Sequence, residues 1–135
     1  MSQVIISKLL NEDEFRNQYN LILKILASSY PNDLTLFFGF AWGDAFNNRQ
    51  VVAENIYSLR KHVQEAEDNS AGKLGADNLH IIWENGKKEI IFCHESDIHL
   101  LYNAESDIIK AILNNWNSQQ LIRYSGTKSE LHLLL

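Results

Sequence analysis

Asn85-Gly86 constrains this chain more than any other pair of residues. Both central positions of a type I′ β-turn need positive φ, and Asn-Gly supplies that at the least steric cost. The dipeptide lies between two runs rich in β-branched and aromatic side chains, Leu79 to Trp83 and Glu89 to Phe92. A hairpin turning there sets Glu84 against Lys87, Ile81 against Ile90 and Leu79 against Phe92. Because strand side chains alternate between faces, one side of this hairpin is apolar and must face a core. Asp97 to Tyr102 predicts a third strand through the short connection His94-Glu95-Ser96, giving a meander.

Helical periodicity accounts for much of the remainder. Asn11 predicts a helix N-cap, with Glu14 in the capping-box position and Phe15, Tyr19, Ile22 and Leu26 on one face, ended by Pro31. Leu34 to Phe40 is a short, dense apolar run that reads as a buried strand, with Gly39 and Gly43 around its exit. Val52, Ile56, Leu59, Val63 and Ala66 repeat at helical spacing and predict a second helix starting near Asn47 or Asn48. The polar, glycine-containing stretch Glu67 to Gly75 then reads as a mobile loop. A third helix fits Glu105 to Trp116, capped near Asn103 or Ala104, with Ile108, Ile109, Ile112, Leu113 and Trp116 inward. At the end of the sequence, Ile122-Arg123-Tyr124 and Leu131 to Leu135 flank Ser125-Gly126-Thr127, which suggests a last hairpin or an exposed apolar tail. The expectation is a single α+β domain over residues 1–135, with about three helices packed on an antiparallel sheet.

Composition supports one core and narrows the functions. In 135 residues, 45% hydrophobic with a single proline, there is enough apolar material for one compact domain. The sequence from Met1 to Lys8 lacks the pattern of a signal peptide, and no apolar run approaches the ~20 residues that cross a bilayer, so a soluble cytoplasmic protein without membrane contact is expected. Cys93 is the only cysteine, which rules out an intrachain disulfide. Twelve Lys and Arg against seventeen Asp and Glu leave a formal charge of -5, a field that repels phosphate backbones and attracts basic surfaces. Nucleic acid is therefore not the expected partner.

The densest group of candidate ligands is Cys93-His94-Glu95-Ser96-Asp97-Ile98-His99. It lacks the paired C-x-x-C or H-x-x-x-H spacing of zinc sites, and strand alternation would place Cys93 and His94 on opposite faces. His80, diagonally across the hairpin, would be the better partner for Cys93. There is no G-x-S-x-G, P-loop or G-x-G-x-x-G. The expectation is no catalytic residue, no metal and no cofactor, the alternative being a small metal-dependent or Cys-His hydrolase using Cys93, His80, His94 or His99. Trp42, flanked by Gly39, Gly43 and Asp44, suggests a docking edge, whereas Trp83 and Trp116 belong to the core. Glu65, Glu67, Asp68, Asp77, Glu84, Glu95 and Asp97 gather near loop and turn ends, where they would steer a basic partner if folding brings them together.

Gly39-Phe40-Ala41-Trp42-Gly43-Asp44, Lys73-Leu74-Gly75-Ala76-Asp77-Asn78-Leu79-His80-Ile81 and Phe92-Cys93-His94-Glu95-Ser96-Asp97-Ile98-His99, in that order on a small acidic chain, resemble bacterial toxin-immunity proteins. Those of contact-dependent growth inhibition systems are the nearest in style, and the resemblance covers the middle half of the sequence. It implies a non-enzymatic protein that binds a cognate toxin domain, often a basic nuclease, and blocks its substrate site. The expected partner-binding residues are Trp42, Asp44, Glu65, Glu67, Asp68, Asp77, Glu95 and Asp97. A homo-oligomer joined through Leu131 to Leu135 is a third expectation.

Overall fold

The computed structural model of the chain describes residues 3–29, 33–39 and 51–129. Among these residues, the helices α1 (Glu12–Ser29), α2 (Ile56–Asp68) and α3 (Asp107–Ser118) accompany a seven-stranded sheet. Its strands are β1 (Gln3–Ser7), β2 (Leu34–Gly39), β3 (Val51–Ala53), β4 (Asn78–Trp83), β5 (Lys88–Phe92), β6 (Ile98–Tyr102) and β7 (Ile122–Thr127). They run in the spatial order β3-β2-β4-β5-β6-β1-β7, and every neighbouring pair is antiparallel. This is the expected α+β domain.

The meander β4-β5-β6 forms as its alternation dictates. Ile81 pairs with Ile90 and Leu79 with Phe92, and at the turn the Lys87 N–H donates to the Glu84 carbonyl while Asn85 and Gly86 both take positive φ. Glu84 also has positive φ and forms an ion pair with Lys88, whose stem is buried on the core side. Leu79, Ile81, Trp83, Ile90, Phe92, Ile98 and Leu100 then form one apolar face.

All three helices cover that face. α1 contributes Phe15, Tyr19, Ile22, Leu23 and Leu26, α2 contributes Leu59 and Val63, and α3 contributes Ile108, Ile109, Ile112 and Trp116. Phe15 and Tyr19 both meet the Phe92 ring edge-on, with centroids 5.8 and 5.4 Å away. Asn11 and Glu14 form the reciprocal capping box: the Glu14 N–H donates to Asn11 Oδ1 at 2.8 Å and the Asn11 N–H to Glu14 Oε1 at 3.0 Å. Trp83 and Trp116 are core residues as expected, at 2% and 0% exposure.

Several boundaries differ from the sequence expectations. α2 begins at Ile56, because Asn55 caps it by accepting from the Ser58 N–H at 2.9 Å, and Val51–Ala53 upstream is strand β3 on the edge of β2. Asn47 and Asn48 lie outside the described residues. α3 starts two residues later than predicted, at Asp107, because Ser106 provides the cap. Ser125-Gly126-Thr127 is no turn. It is the end of β7, where Gly126 pairs with Val4 and Thr127 with Gln3. Leu131 to Leu135, expected as a tail or strand, lies outside the described residues, as do Phe40, Gly43, Trp42 and Asp44.

Of the stretch Glu67 to Gly75, expected as a mobile loop, Glu67 and Asp68 end α2 and the rest is tethered at several points. The Leu74 N–H donates to Glu67 Oε2 and the Lys73 N–H to Asp77 Oδ2, while Ala71 and Gly72 both donate to the Ala66 carbonyl. Gly72 lies against the Phe38 ring so closely that a Cβ there would stand 3.0 Å from it.

Candidate functional site

β1, β4, β5, β6 and β7 all start or finish at one end of the sheet, where α1 begins and α2 and α3 finish. Local hydrogen bonds knit this end together. Leu10 N–H donates to the Ser96 carbonyl at 2.9 Å and Lys8 N–H to the Leu121 carbonyl at 2.7 Å. α1 and α2 are antiparallel neighbours, with Arg16 bridging to Glu67 at 2.7 Å and Arg60 reaching Asn20 at 2.9 Å. A depression of about 200 Å³ between the start of α1, the loop at residues 73–76 and the turn after β5 is lined by Glu12, Phe15, Arg16, Lys73, Leu74 and Ser96, among others.

Six of the expected partner-binding residues, Glu65, Glu67, Asp68, Asp77, Glu95 and Asp97, fall at this end, but not in one role. Asp77 is buried and holds the Lys73 N–H at 2.9 Å. Glu67 is half-buried between Arg16 and the Leu74 N–H. Asp97 is buried. Glu65, Asp68 and Glu95 face solvent, and Glu12, Asp13 and Glu14 of the first turn of α1 join them. Of that triplet the sequence reading names only Glu14, as a capping residue, and acids suit a helix N-terminus. Glu65, Glu67 and Asp68 have no such explanation. They occupy the last turn of α2, which carries no basic residue and where the helix dipole disfavours negative charge.

The second cluster lies on the sheet face that none of α1–α3 covers. β5 and β6 alternate, so Glu89, Ile91 and Cys93, like Asp97, His99 and Leu101, point away from the core-facing Phe92, Ile98 and Leu100. Ile91 pairs with His99, and the chain turns back through His94-Glu95-Ser96. In that turn the Ser96 N–H donates to the Cys93 carbonyl at 3.1 Å, Ser96 takes φ 67°, and the Cys93 N–H donates to the Asp97 carbonyl at 2.9 Å. A three-residue loop of this kind, with its last residue left-handed, sets the residues before and after it side by side.

Cys93, Asp97 and His99 therefore converge, with one ligand atom from each lying within 4.8 Å of the others. The expected separation of Cys93 from His94 holds, but the expectation left out the return of β6 beside β5, which brings Asp97 and His99 to Cys93. His94 does turn elsewhere, its backbone N–H and ring Nδ1 both meeting Asn78 Oδ1. His80, expected as the partner of Cys93, is held by Glu89, with Nδ1 2.7 Å from Oε2.

Asp97 is the hub of this cluster. Its Oδ2 lies 3.1 Å from His99 Nε2 and accepts from Arg123 Nη2 at 3.2 Å. Burial pushes the Asp97 carboxyl up, but the hydrogen bond and charge of His99 and the Arg123 guanidinium outweigh it and hold the carboxyl below its ordinary value. Burial pushes the Cys93 thiol well above its ordinary value, and the carboxylates of Asp97, Glu95 and Glu89 push it further. A nucleophilic cysteine needs the reverse, a cationic neighbour that stabilises the thiolate.

A third feature is a groove of about 450 Å³ between α1 and α2, lined by Arg16, Tyr19, Tyr57, Arg60 and Glu67 among others. Arg60 lies over the Tyr19 ring, 5.8 Å from its centroid.

Comparison with protein-family models, curated proteins and solved structures finds no match for this chain. Among the described residues, no helix is long and apolar enough to cross a membrane.

Proposed function

We propose that this chain is a toxin-immunity protein, a non-enzymatic cytoplasmic binder that docks its acidic end on a basic bacterial toxin domain and occludes the toxin's substrate site. The observation that carries the reading is the collection of solvent-facing carboxylates from three separate elements at one end: Glu12, Asp13 and Glu14 of α1, Glu65 and Asp68 of α2, and Glu95 of the turn after β5. Cations at this end include Lys8, Lys73, Arg16 and Arg123, of which Arg16 is bound to Glu67 and Arg123 to Asp97. A rigid surface of this charge accelerates encounter with a basic partner and competes with a nucleic-acid substrate for the same site. A nuclease is the toxin activity that such mimicry suits. The resemblance of the middle of the sequence to immunity proteins supports the same reading. Trp42 and Asp44 remain proposed contacts on sequence grounds.

The test is association with the toxin domain encoded beside this gene. Binding should be tight at low salt and weaken as salt rises, and Glu65→Gln/Asp68→Asn/Glu95→Gln should slow association about tenfold or more while the fold is retained. Absence of binding at low salt, or unchanged association by the triple variant, would overturn the proposal.

A further inference from the structure

The geometry points to a zinc site formed by Cys93, Asp97 and His99, with Arg123 in the position of a cation that the metal displaces. This inference is independent of the acidic-surface reading. Sulfur, imidazole nitrogen and carboxylate oxygen are all zinc donors, and tetrahedral bonds of ~2.0–2.3 Å place neighbouring donors roughly 3.3–3.7 Å apart. The Nε2 of His99 and Oδ2 of Asp97 are already 3.1 Å apart, and all three donors lie within 4.8 Å of one another, so side-chain adjustments of about an ångström would close the site.

The backbone is built to hold these donors. The turn from Cys93 to Asp97 is closed at both ends by hydrogen bonds, and the Ile98 N–H next to Asp97 donates to the buried Ser7 Oγ at 2.9 Å. Charge also favours a dication. A Cys93 thiolate and the Asp97 carboxylate would carry two negative charges beside a neutral imidazole, an arrangement that Zn²⁺ neutralises. On binding, the Cys93 S–H proton passes to solvent, an S–Zn bond forms, and no electron is transferred. Arg123 has a side chain 55% exposed, so its guanidinium can leave Asp97 for water. Three protein donors leave one coordination position for water or for a donor atom from a partner.

The test uses the purified full chain titrated with ZnCl₂, and with CoCl₂ as a coloured substitute. Expected are one equivalent of metal bound, visible bands of four-coordinate cobalt and a sulfur-to-cobalt charge-transfer band in the near ultraviolet. Cys93 is the single cysteine, so it alone can supply that band. Cys93→Ser should abolish the band and His99→Ala should weaken metal binding at least tenfold. Arg123→Gln, at an exposed position, should tighten it about 2–5-fold by removing the competing ion pair. No charge-transfer band in either the unmodified chain or Arg123→Gln would overturn the site, whether or not Cys93→Ser folds. A band that persists undiminished in His99→Ala would overturn it equally.

Discussion

The indole N–H of Trp116 donates to Gln18 Oε1 at 2.9 Å inside the contact between α3 and α1, and Gln18 Nε2 donates in turn to Asn115 Oδ1 at 3.0 Å. Gln18 is 4% exposed, a buried amide whose two ends both bind the same neighbouring helix. Gln18→Met, close in volume, leaves the Trp116 N–H without this acceptor and should cost about 1–3 kcal/mol. Denaturant unfolding measures the loss. Trp116→Phe removes the donor as well, so the double variant should cost less than the sum of the two single ones.

The capping box at the start of α1 can be tested by itself. Asn11 and Glu14 are exposed, so Asn11→Ala changes little besides the cap and should lower stability by about 1 kcal/mol, read as a shift in the urea midpoint at unchanged slope.

Tyr19 predicts the response to alkali. Burial against the core raises its hydroxyl from 10.0 to about 12, with the Arg60 and Arg16 charges opposing and Glu67 reinforcing the rise. The unfolded chain then loses the Tyr19 proton before the folded one, so the contribution is fully present below pH 10 and is lost as pH rises towards 12. Stability should fall by roughly 2–3 kcal/mol across that window from this group. Tyr19→Phe should flatten the dependence, leaving the smaller part that Tyr102, raised by burial and by Glu105, contributes.

Cys93 should react slowly with a thiol reagent at neutral pH. It is buried, and both burial and the neighbouring carboxylates keep the thiol protonated. Modification measured with a disulfide reagent should accelerate sharply only when denaturant opens the fold.

The parts of the fold legible in the sequence are those governed by neighbours along the chain. The Asn85-Gly86 turn, the alternation on either side of it and the Asn11-Glu14 cap each rest on residues a few positions apart, and each formed as read. β3 was obscured because Val52 happens to continue the helical spacing of Ile56 and Leu59, although Asn55 interrupts it with a cap. β7 was obscured by Gly126, a residue that suggests a turn but here sits in an edge strand opposite Val4. The ligand cluster needed knowledge of one dihedral: with Ser96 left-handed, Asp97 returns beside Cys93, and no periodicity announces that. The acidic end required the antiparallel packing of α1 on α2, a contact between residues some fifty positions apart.

β1 occupies an interior place in the sheet, with Gln3 opposite Tyr102 on one side and Thr127 on the other. Its partners are made about a hundred residues later, so during synthesis Val4-Ile5-Ile6 leaves the ribosome long before anything exists to pair with it. The β4-β5-β6 meander and the consecutive pair β2-β3 can assemble from contacts between neighbouring strands, whereas β1 is captured across a very long loop. Ordering that late step is slow for entropic reasons, and meanwhile an apolar segment with open hydrogen-bonding edges waits in solution. In a cell, the nascent chain is therefore a natural client for a chaperone that shields extended hydrophobic segments.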